Sequence, residues 1–392
     1  KKKKKKKGVK IVIDSGVAKI KSYDPITKLV SLKVEYISRS EARQRSGRVG
    51  RTESGLCYRL YPETTFYEIF EEESRPELLR SNLSLVLLTL LASGIKNPLD
   101  FDWIDTPPAK NIETSWQELL SLGAVIYDST YFLTPIGSMM SKLPLEPRFS
   151  KCLILASKNF NCSVEMVTLI AFLNEKHIFF NPSNDKKKKA LNNRKKFTSE
   201  YGDIITLLNV FKAFTSYCKN CRDGSAKEDE NNLHRWCTEH SINLRSLMNV
   251  KKIRKQLFSR MKALDLPIVS AESTFHNSFQ EAESIVTALL CGFYDHTAIY
   301  SSKGMNMRLY LDRAYLTILH REMVHIHPSS ILHGTKYRFV LFTEKLFTTN
   351  NYIRHVSVFH LEWLKSIIAD DQVKREMLLR LQSYEDSSVV YS

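Results

Sequence analysis

No apolar run in this sequence is long enough to cross a membrane as a helix. The longest, Leu83–Ile95, has 13 residues and is broken by Ser84, Thr89 and Ser93, against the roughly 20 that a span requires. A secretory h-region of about 7–15 apolar residues with a small-residue cleavage site is also missing, so a soluble protein is expected. Cysteine is sparse and odd in number: Cys57, Cys152, Cys162, Cys218, Cys221, Cys237 and Cys291 are scattered over 392 residues. That usage excludes a disulfide framework and points to a reducing compartment. Disorder throughout is excluded by 43% apolar and 10% aromatic residues. The length predicts two to four domains at roughly 100–200 residues each. Lysine and arginine number 58 against 42 acidic residues, a net charge of +16, but seven of those charges are the homopolymer Lys1–Lys7. That run reads either as a basic arm or as foreign to the chain. The remaining excess is moderate and compatible with a nucleic-acid partner.

Val9-Lys10-Ile11-Val12-Ile13 reads as a buried strand that ends in the turn Asp14-Ser15-Gly16. The β-like runs Ala18–Tyr23 and Leu29–Tyr36 flank Asp24–Lys28, where Pro25 presets a turn, and predict a hairpin. Ser38–Arg51 follows, and then the strand Leu56–Tyr61. Four arginines, Arg43, Arg45, Arg48 and Arg51, fall within nine residues, where mutual repulsion would ordinarily scatter them. A helix over Ser40–Val49 would place Gln44, Arg48 and Arg51 on one face. Two guanidiniums and an amide converging there suit a multiply charged anion such as a triphosphate, because arginine offers forked donors that stay charged. Gly47 and Gly50 would keep that face open. The competing reading is a solvated basic helix.

From Pro62 to Pro147 an acidic stretch leads into helices over Asn82–Ser93 and Asn111–Leu122, followed by a hairpin with arms Ala124–Tyr127 and Tyr131–Thr134. Helices closed by a terminal hairpin outline a winged-helix unit. Residues 148 to about 265 read as helical: Ser150–Lys158, Ser163–Leu173, Gly202–Tyr217, Leu233–Glu239 and Ser241–Ala263. The last carries Val250, Ile253, Leu257, Met261 and Leu264 as a core stripe, with Lys251, Lys252, Arg254 and Lys255 on a solvated or nucleic-acid-facing side. Lys186–Lys196 and Asn220–Asn232 read as exposed loops, the first able to touch phosphates. Ile285–Tyr294 predicts a helix. Short strands follow at Thr297–Tyr300, Arg308–Tyr310, Met323–Ile326, Phe339–Glu344, Phe347–Thr349 and Val356–Phe359, and a helix over Leu361–Ala369 closes the series. Strands this short and this many suit a small barrel such as an oligonucleotide-binding fold.

Gln44-Arg45-Ser46-Gly47-Arg48-Val49-Gly50-Arg51 resembles motif VI, Q-R-x-G-R-x-G-R, of the DEAH-box RNA helicases of superfamily 2. Other segments resemble that family's landmarks in its own order. Ile11–Gly16 is similar to the tail of motif V, Ala18–Tyr36 to the projecting β-hairpin, Arg75–Leu83 to the winged-helix entry, and Asp100–Pro108 to F-D-F-x-D-P-P. Leu133–Gly137 and Leu143–Pro147 resemble the wing and exit, Gly202–Asn209 and Trp236-Cys237 the helical bundle, and His325–Ser330 and Thr348–Arg354 the OB fold.

The resemblance implies a multidomain α+β chain: 1–61 as the C-terminal piece of a second RecA-like α/β domain, 62–147 a winged helix, 148–268 a ratchet-like helical bundle, and 269–392 an OB-fold β-barrel with a C-terminal helix. It implies an ATP-dependent helicase that translocates on single-stranded RNA and remodels RNA or RNA–protein complexes in mRNA processing. Gln44, Arg48 and Arg51 would reach the γ-phosphate and the attacking water as sensor and arginine fingers, with Gly47 beside the nucleotide and Arg45 structural. Thr349 and Arg354 would contact RNA. ATP and Mg2+ would bind only together with a first RecA-like domain. A G-patch activator, a monomeric state and a nuclear, otherwise cytoplasmic, location are further implications.

The sequence departs from the family pattern in two respects, the first being that motif V should begin where Lys1–Lys7 stands, so that its hydroxyl-bearing residues are missing. Neither G-x-x-x-x-G-K-[ST] nor D-E-x-H occurs, so the phosphate cradle and the magnesium carboxylate are missing, and the chain looks like the C-terminal half of such a helicase, inactive alone. The alternative is a non-catalytic RNA-binding or scaffold module. The Gln44, Arg48 and Arg51 set favours the enzyme, since a scaffold has no use for a γ-phosphate sensor. Cys218, Cys221, Cys237 and His240 have the spacing of a zinc site. Cys237 and His240 fall in a segment expected to pack as a helix, and no metal site is expected. His325 and His327 are expected to be packed or hydrogen-bonded.

Overall fold

The computed structural model describes residues 9–24, 29–49, 54–98, 101–175, 178–180, 192–220, 226–300, 314–347, 350–368 and 379. The chain divides into two compact units, 1–83 with 102–115, and 84–101 with 116–392.

In the first unit, β1 (Ile11–Asp14) starts later than its apolar run. Val9 makes only an isolated parallel bridge to Val49. β2 (Val17–Asp24) and β3 (Leu29–Tyr36) form the expected hairpin, antiparallel in register from Val17 opposite Tyr36 to Asp24 opposite Leu29. Helix α1 (Arg39–Ser46) comes next, and β4 (Leu56–Arg59) then lies parallel to β1 with Ile11 beside Leu56. A small core of Ile37, Ala42, Phe66 and Phe70 holds α1 against the turn at Thr65–Ile69, with Ala18 and Tyr61 packed on it.

In the second unit, α2 (Ser84–Ala92) matches its apolar run, and α3 (Ala109–Ser121) runs across the boundary between the units. β5 (Val125–Asp128) and β6 (Thr130–Leu133) form the expected hairpin, and Trp116 stacks on Tyr131 at 3.9 Å. α4 (Pro135–Ser141) begins where Thr134 accepts the Gly137 amide proton. Next come α5 (Pro147–Lys158), α6 (Ser163–Leu173), α7 (Asp203–Asn220), α8 (Ala226–Glu239) and α9 (Leu244–Ala263). Phe172, Phe211, Phe214, Cys237, Leu247 and Val250 form a core shared by α6, α7, α8 and α9, with Trp236 packed against it.

Three expectations change here. Residues 226–232 are helical rather than loop, because α8 starts at Ala226. Arg194 is no phosphate-seeking loop residue: its guanidinium donates to the carbonyls of Phe180 and Ser241 and lies 4.7 Å from the Phe179 ring. Arg254 leaves the solvated face of α9, donating to Thr168 Oγ1 at 2.8 Å and sitting 4.5 Å over Phe211. Polarity alone does not reveal which cations the packing recruits to cap buried rings and carbonyls.

After the short helix α10 (Ala271–Thr274), Asn277 caps α11 (Ser278–Phe293) by accepting from the Gln280 amide, so this helix begins earlier than its apolar stretch. The strands are β7 (Thr297–Tyr300), β8 (Tyr315–Thr317), β9 (Met323–Ile326), β10 (Phe339–Leu341), β11 (Glu344–Phe347), β12 (Asn351–Arg354) and β13 (Ser357–Val358). Within this unit they are ordered β13-β10-β7-β8-β9-β12-β11, and β9 with β12 is a parallel pair. Ala298, Tyr315, Val324, Ile326, Val340, Phe342 and Ile353 fill their core. β8 and β12 were not expected from periodicity, and the expected strand Arg308–Tyr310 lies outside the described residues. α12 (Leu361–Ile368) follows the sheet. Among the described residues no helix is long and apolar enough to cross a membrane.

Buried charge ties this unit together. Arg148 at the start of α5 donates to Glu118 of α3 at 2.5 Å, to both Asp295 oxygens at 2.6 and 2.9 Å, and to the Gly292 carbonyl at 2.9 Å. The two carboxylates raise the Arg148 pKa above its already high value, outweighing burial. α5 and α11 can approach this closely because residue 292 is glycine: a Cβ there would lie 2.6 Å from the Arg148 carbonyl oxygen. Asp203, at the first turn of α7, accepts from the amides of Ile331 and Val356, both at 2.9 Å.

His296 lies flat on Phe342 at 5.0 Å, and its Nδ1, shut off from solvent, has no hydrogen-bond partner among the described residues. Burial pushes its pKa from 6.5 down to about 4, and that of His355 likewise to about 4. A depressed histidine pKa means that the unfolded chain takes up the proton first. The contribution of these histidines to stability is therefore fully present above pH 6.5 and is lost as the pH drops from 6.5 toward 4, by up to ~3 kcal/mol through His296. Denaturation midpoints measured across this window check the expectation, and His296→Phe should flatten the profile.

Candidate functional site

Helix α1 is a designed stop and start in the first unit. Ser38 and Glu41 form a capping box, the Ser38 side chain accepting from the Glu41 amide and the Glu41 carboxylate accepting from the Ser38 amide. The helix ends at Ser46, with Gly47 as its C-cap at φ −66°. Arg48 and Val49 continue only as tight turns, donating to the carbonyls of Arg45 and Ser46, after which Val49 bridges to Val9. The helix therefore stops short of Val49, and Gln44 and Arg48 do not share one helix face, a correction with a plain cause: glycine disfavours the helix and β-branched valine is drawn into the strand pairing. Arg51 and Gly50 lie outside the described residues.

The cluster separates into committed and uncommitted arginines. Arg39 donates to the Phe66 carbonyl at 2.9 Å, to that of Tyr67, and to Glu72 at 3.0 Å. Arg43 reaches Glu72 at 2.6 Å, and the pair of arginines, Arg43 foremost, holds that carboxyl below its usual range. Arg45 donates to Asp14 at 2.7 Å. Gln44 and Arg48 are exposed, and neither makes a side-chain hydrogen bond or ion pair among the described residues. An amide on α1 and a guanidinium in the turn after it are thus left without a partner among the described residues, while the other cations of the segment hold it in place.

Asp14 is the partner that sequence reasoning missed. Its side chain is 0% exposed. Beyond Arg45 it accepts from the Gly16 amide at 3.1 Å and from the Tyr61 hydroxyl at 3.0 Å. Burial, then the hydrogen bond to Asp14, pushes the Tyr61 hydroxyl up to about 12. The only signal was an acid at the end of an apolar run, which reads equally well as a turn.

The remaining expected site residues are dispersed. Gly47 has ordinary right-handed backbone, and a Cβ there would sit 3.3 Å from the Arg43 carbonyl oxygen, so the fold does not demand glycine. Arg354 on β12 is half-buried and paired across the strands with Glu344 at 3.2 Å. Thr349 lies outside the described residues. Cys237 is packed in the helical core, its thiol pushed up to about 12 by burial, and His240 Nδ1 meets the Trp236 carbonyl at 2.8 Å. Cys221 lies outside the described residues, and among those described no group of three or more candidate ligands could hold a metal ion. His327 Nδ1 accepts from the Ser329 amide at 3.1 Å, and His325 on β9 pairs with Tyr352.

Residues 146–207 match the helicase associated domain (HA2), ratchet-like, and residues 285–369 match the oligonucleotide/oligosaccharide-binding (OB)-fold. Over 371 residues, 94% of this chain and 48% of the relative, the sequence is 36% identical to the ATP-dependent RNA helicase DHX33 of Mus musculus. It is 33% identical over 358 residues to the probable ATP-dependent RNA helicase DHX35 of Homo sapiens, covering 91% of this chain and 46% of that protein. The chain corresponds to the C-terminal region of the DEAH-box RNA helicases. A third relative, the pre-mRNA-splicing factor ATP-dependent RNA helicase DEAH10 of Arabidopsis thaliana, is 34% identical over 92% of this chain and 48% of its own length. The chain thus spans about half the length of the relatives it matches. In this helicase region the ratchet-like match contains Arg148 and the start of α7 with Asp203. The OB match contains the last nine residues of α11, β7–β13 and all of α12.

Proposed function

We propose that this region serves an ATP-dependent RNA helicase by sensing the γ-phosphate of ATP and by lining the path of single-stranded RNA. The observation that carries the reading is the pairing pattern in motif VI. Arg39, Arg43 and Arg45 are bound within the unit while Gln44 and Arg48 stand exposed and unpartnered among the described residues. Arg48, with Arg51, would stabilise charge on the transferred phosphoryl group, and Gln44 would orient the attacking water. Mg2+ would neutralise the phosphates and would be held, with most of the ATP, by a first RecA-like domain.

The parallel pair β1 and β4 supports a RecA-like reading of residues 1–61. Ile11, Ile13, Leu56 and Tyr58 are more than half exposed on strands of a kind normally covered on both faces. α2, α3 and the β5–β6 hairpin support a winged helix over 62–147, and the ratchet-like helices and the OB sheet then correspond to 148–268 and 269–392. The hairpin β2–β3, the helices and the sheet would contact RNA mainly through its phosphates. A monomer that remodels RNA or RNA–protein complexes in the nucleus, with a G-patch protein as activator, completes the proposal.

The test uses the full-length protein. ATP hydrolysis stimulated by single-stranded RNA, together with separation of an RNA duplex bearing a single-stranded overhang, is the expected result. RNA binding without hydrolysis would replace the enzyme with a non-catalytic module.

A further inference from the structure

Gln44 and Arg48 hold nothing themselves among the described residues, and of the arginines that tie their segment to the rest of the unit, Arg45 is the one that reaches the base of the hairpin. Its guanidinium grips two elements at once. One is Asp14 at the end of β1, at 2.7 Å, and the other is the carbonyl of Val17, the first residue of the hairpin, at 3.2 and 3.3 Å. Asp14 has little freedom to swing, because Gly16 and Tyr61 donate to its two oxygens and water does not reach it. Tyr61 packs on Phe70 with ring centroids 5.0 Å apart. It also occupies the place of the missing side chain at Gly16, where φ is +72° and a Cβ would lie 2.6 Å from the ring. Both feet of the hairpin close over this point: Val17 pairs with Tyr36, and Ile37 donates to the Gly16 carbonyl at 3.1 Å. For stability alone such a buried ion pair is a poor device, since apolar groups of the same volume often serve as well. A forked donor shared between a strand end and a hairpin base does something an apolar contact cannot, which is to fix the direction of α1 relative to both.

We propose that Asp14, Arg45 and Tyr61 form a positioning clamp that couples the β2–β3 hairpin to the Gln44–Arg48 segment, so that RNA seated on the hairpin raises the rate of ATP hydrolysis through it. The inference rests on the helicase reading above. All three are positioning residues: Asp14 and Tyr61 act on Arg45, and Arg45 acts on the helix that carries Gln44 and the turn after it that carries Arg48. RNA that shifts the hairpin base displaces the Val17 carbonyl, and the fork carries that displacement into α1.

The experiment measures ATP hydrolysis by the full-length protein with and without polyuridylate, for wild type, Asp14→Asn and the milder Tyr61→Phe, which keeps the ring and loses only its hydroxyl. The ratio of stimulated to basal rate should fall about tenfold in Asp14→Asn, within the range typical of coupling between sites, and by a smaller factor in Tyr61→Phe. Basal rate and KM for ATP should stay within about twofold of wild type, because the clamp positions rather than contacts the nucleotide. Arg45→Lys, with charge but no fork, should restore only part of the ratio that Arg45→Gln loses. An unchanged ratio in both Asp14→Asn and Tyr61→Phe overturns the clamp, as does an equal fall of basal and stimulated rates alongside a lower thermal midpoint. Wild-type protein without RNA stimulation overturns the helicase reading and the clamp with it. Stimulated wild type with unchanged variants overturns the clamp alone.

Discussion

Arg48→Ala in the full-length protein should lower the turnover of ATP by a factor on the order of 10³, the lower end of what an arginine finger supplies. The loss should appear in kcat more than in KM, because the guanidinium meets charge that develops during phosphoryl transfer rather than charge already on the substrate. Folding should be untouched. Arg48 is exposed and unpartnered among the described residues, while the capping box and the Asp14–Arg45 pair that hold α1 remain, so the change in stability should stay within about 0.5 kcal/mol. Arg48→Lys should recover little, since an ammonium lacks the planar fork. Gly47→Ala is the companion variant: a Cβ there requires the Arg43 carbonyl oxygen, 3.3 Å away, to give by a few tenths of an ångström, so a lower rate with an unchanged denaturation midpoint would report crowding of the nucleotide rather than damage to the helix. Steady-state hydrolysis with saturating RNA measures all three. A loss of less than tenfold for Arg48→Ala would exclude it as a finger.

Arg148→Ala is expected to cost about 3–5 kcal/mol of folding stability, read from denaturant midpoints, because it leaves the Glu118 and Asp295 carboxylates buried without their cation. The three side chains come from α3, α5 and the end of α11, so the loss loosens a junction rather than a single helix. Ser84 remains as a donor to Glu118 at 2.6 Å, which limits the damage on that side. Arg148→Lys should recover less than half of the loss, since one ammonium cannot serve Glu118, both oxygens of Asp295 and the Gly292 carbonyl together. Adding Asp295→Asn to Arg148→Ala should return part of the stability by removing a buried charge that has lost its guanidinium. A cost below about 1 kcal/mol for Arg148→Ala would show that water reaches the carboxylates and that the network is not buried in solution.

Local pattern was a good guide wherever the determinant is a short stretch of chain. Ser163–Leu173, Thr297–Tyr300 and Met323–Ile326 take the expected bounds, and the β2–β3 hairpin pairs along its full length, because helical periodicity, β-branched runs and turn residues act over a few positions. The same locality explains the failures. Nothing near Arg254 or Arg194 says that a buried threonine, a ring or a carbonyl waits for them. Nothing in a three-residue strand such as β8 separates it from a loop.

The order of the motif VI residues and the similarity to helicases are properties of the chain alone, readable without coordinates because they depend on which side chains occur at which spacing. Which of those arginines is spent and which is free is not such a property. Asp14 and Arg45 stand 31 positions apart, and Arg148 and Asp295 stand 147 apart. Burial makes each of these charges depend on a partner that only the folded packing brings within reach. Tertiary structure therefore decides that Arg45 holds the hairpin, that Arg148 holds the junction of α3, α5 and α11, and that Gln44 and Arg48 are left exposed and without a partner among the described residues.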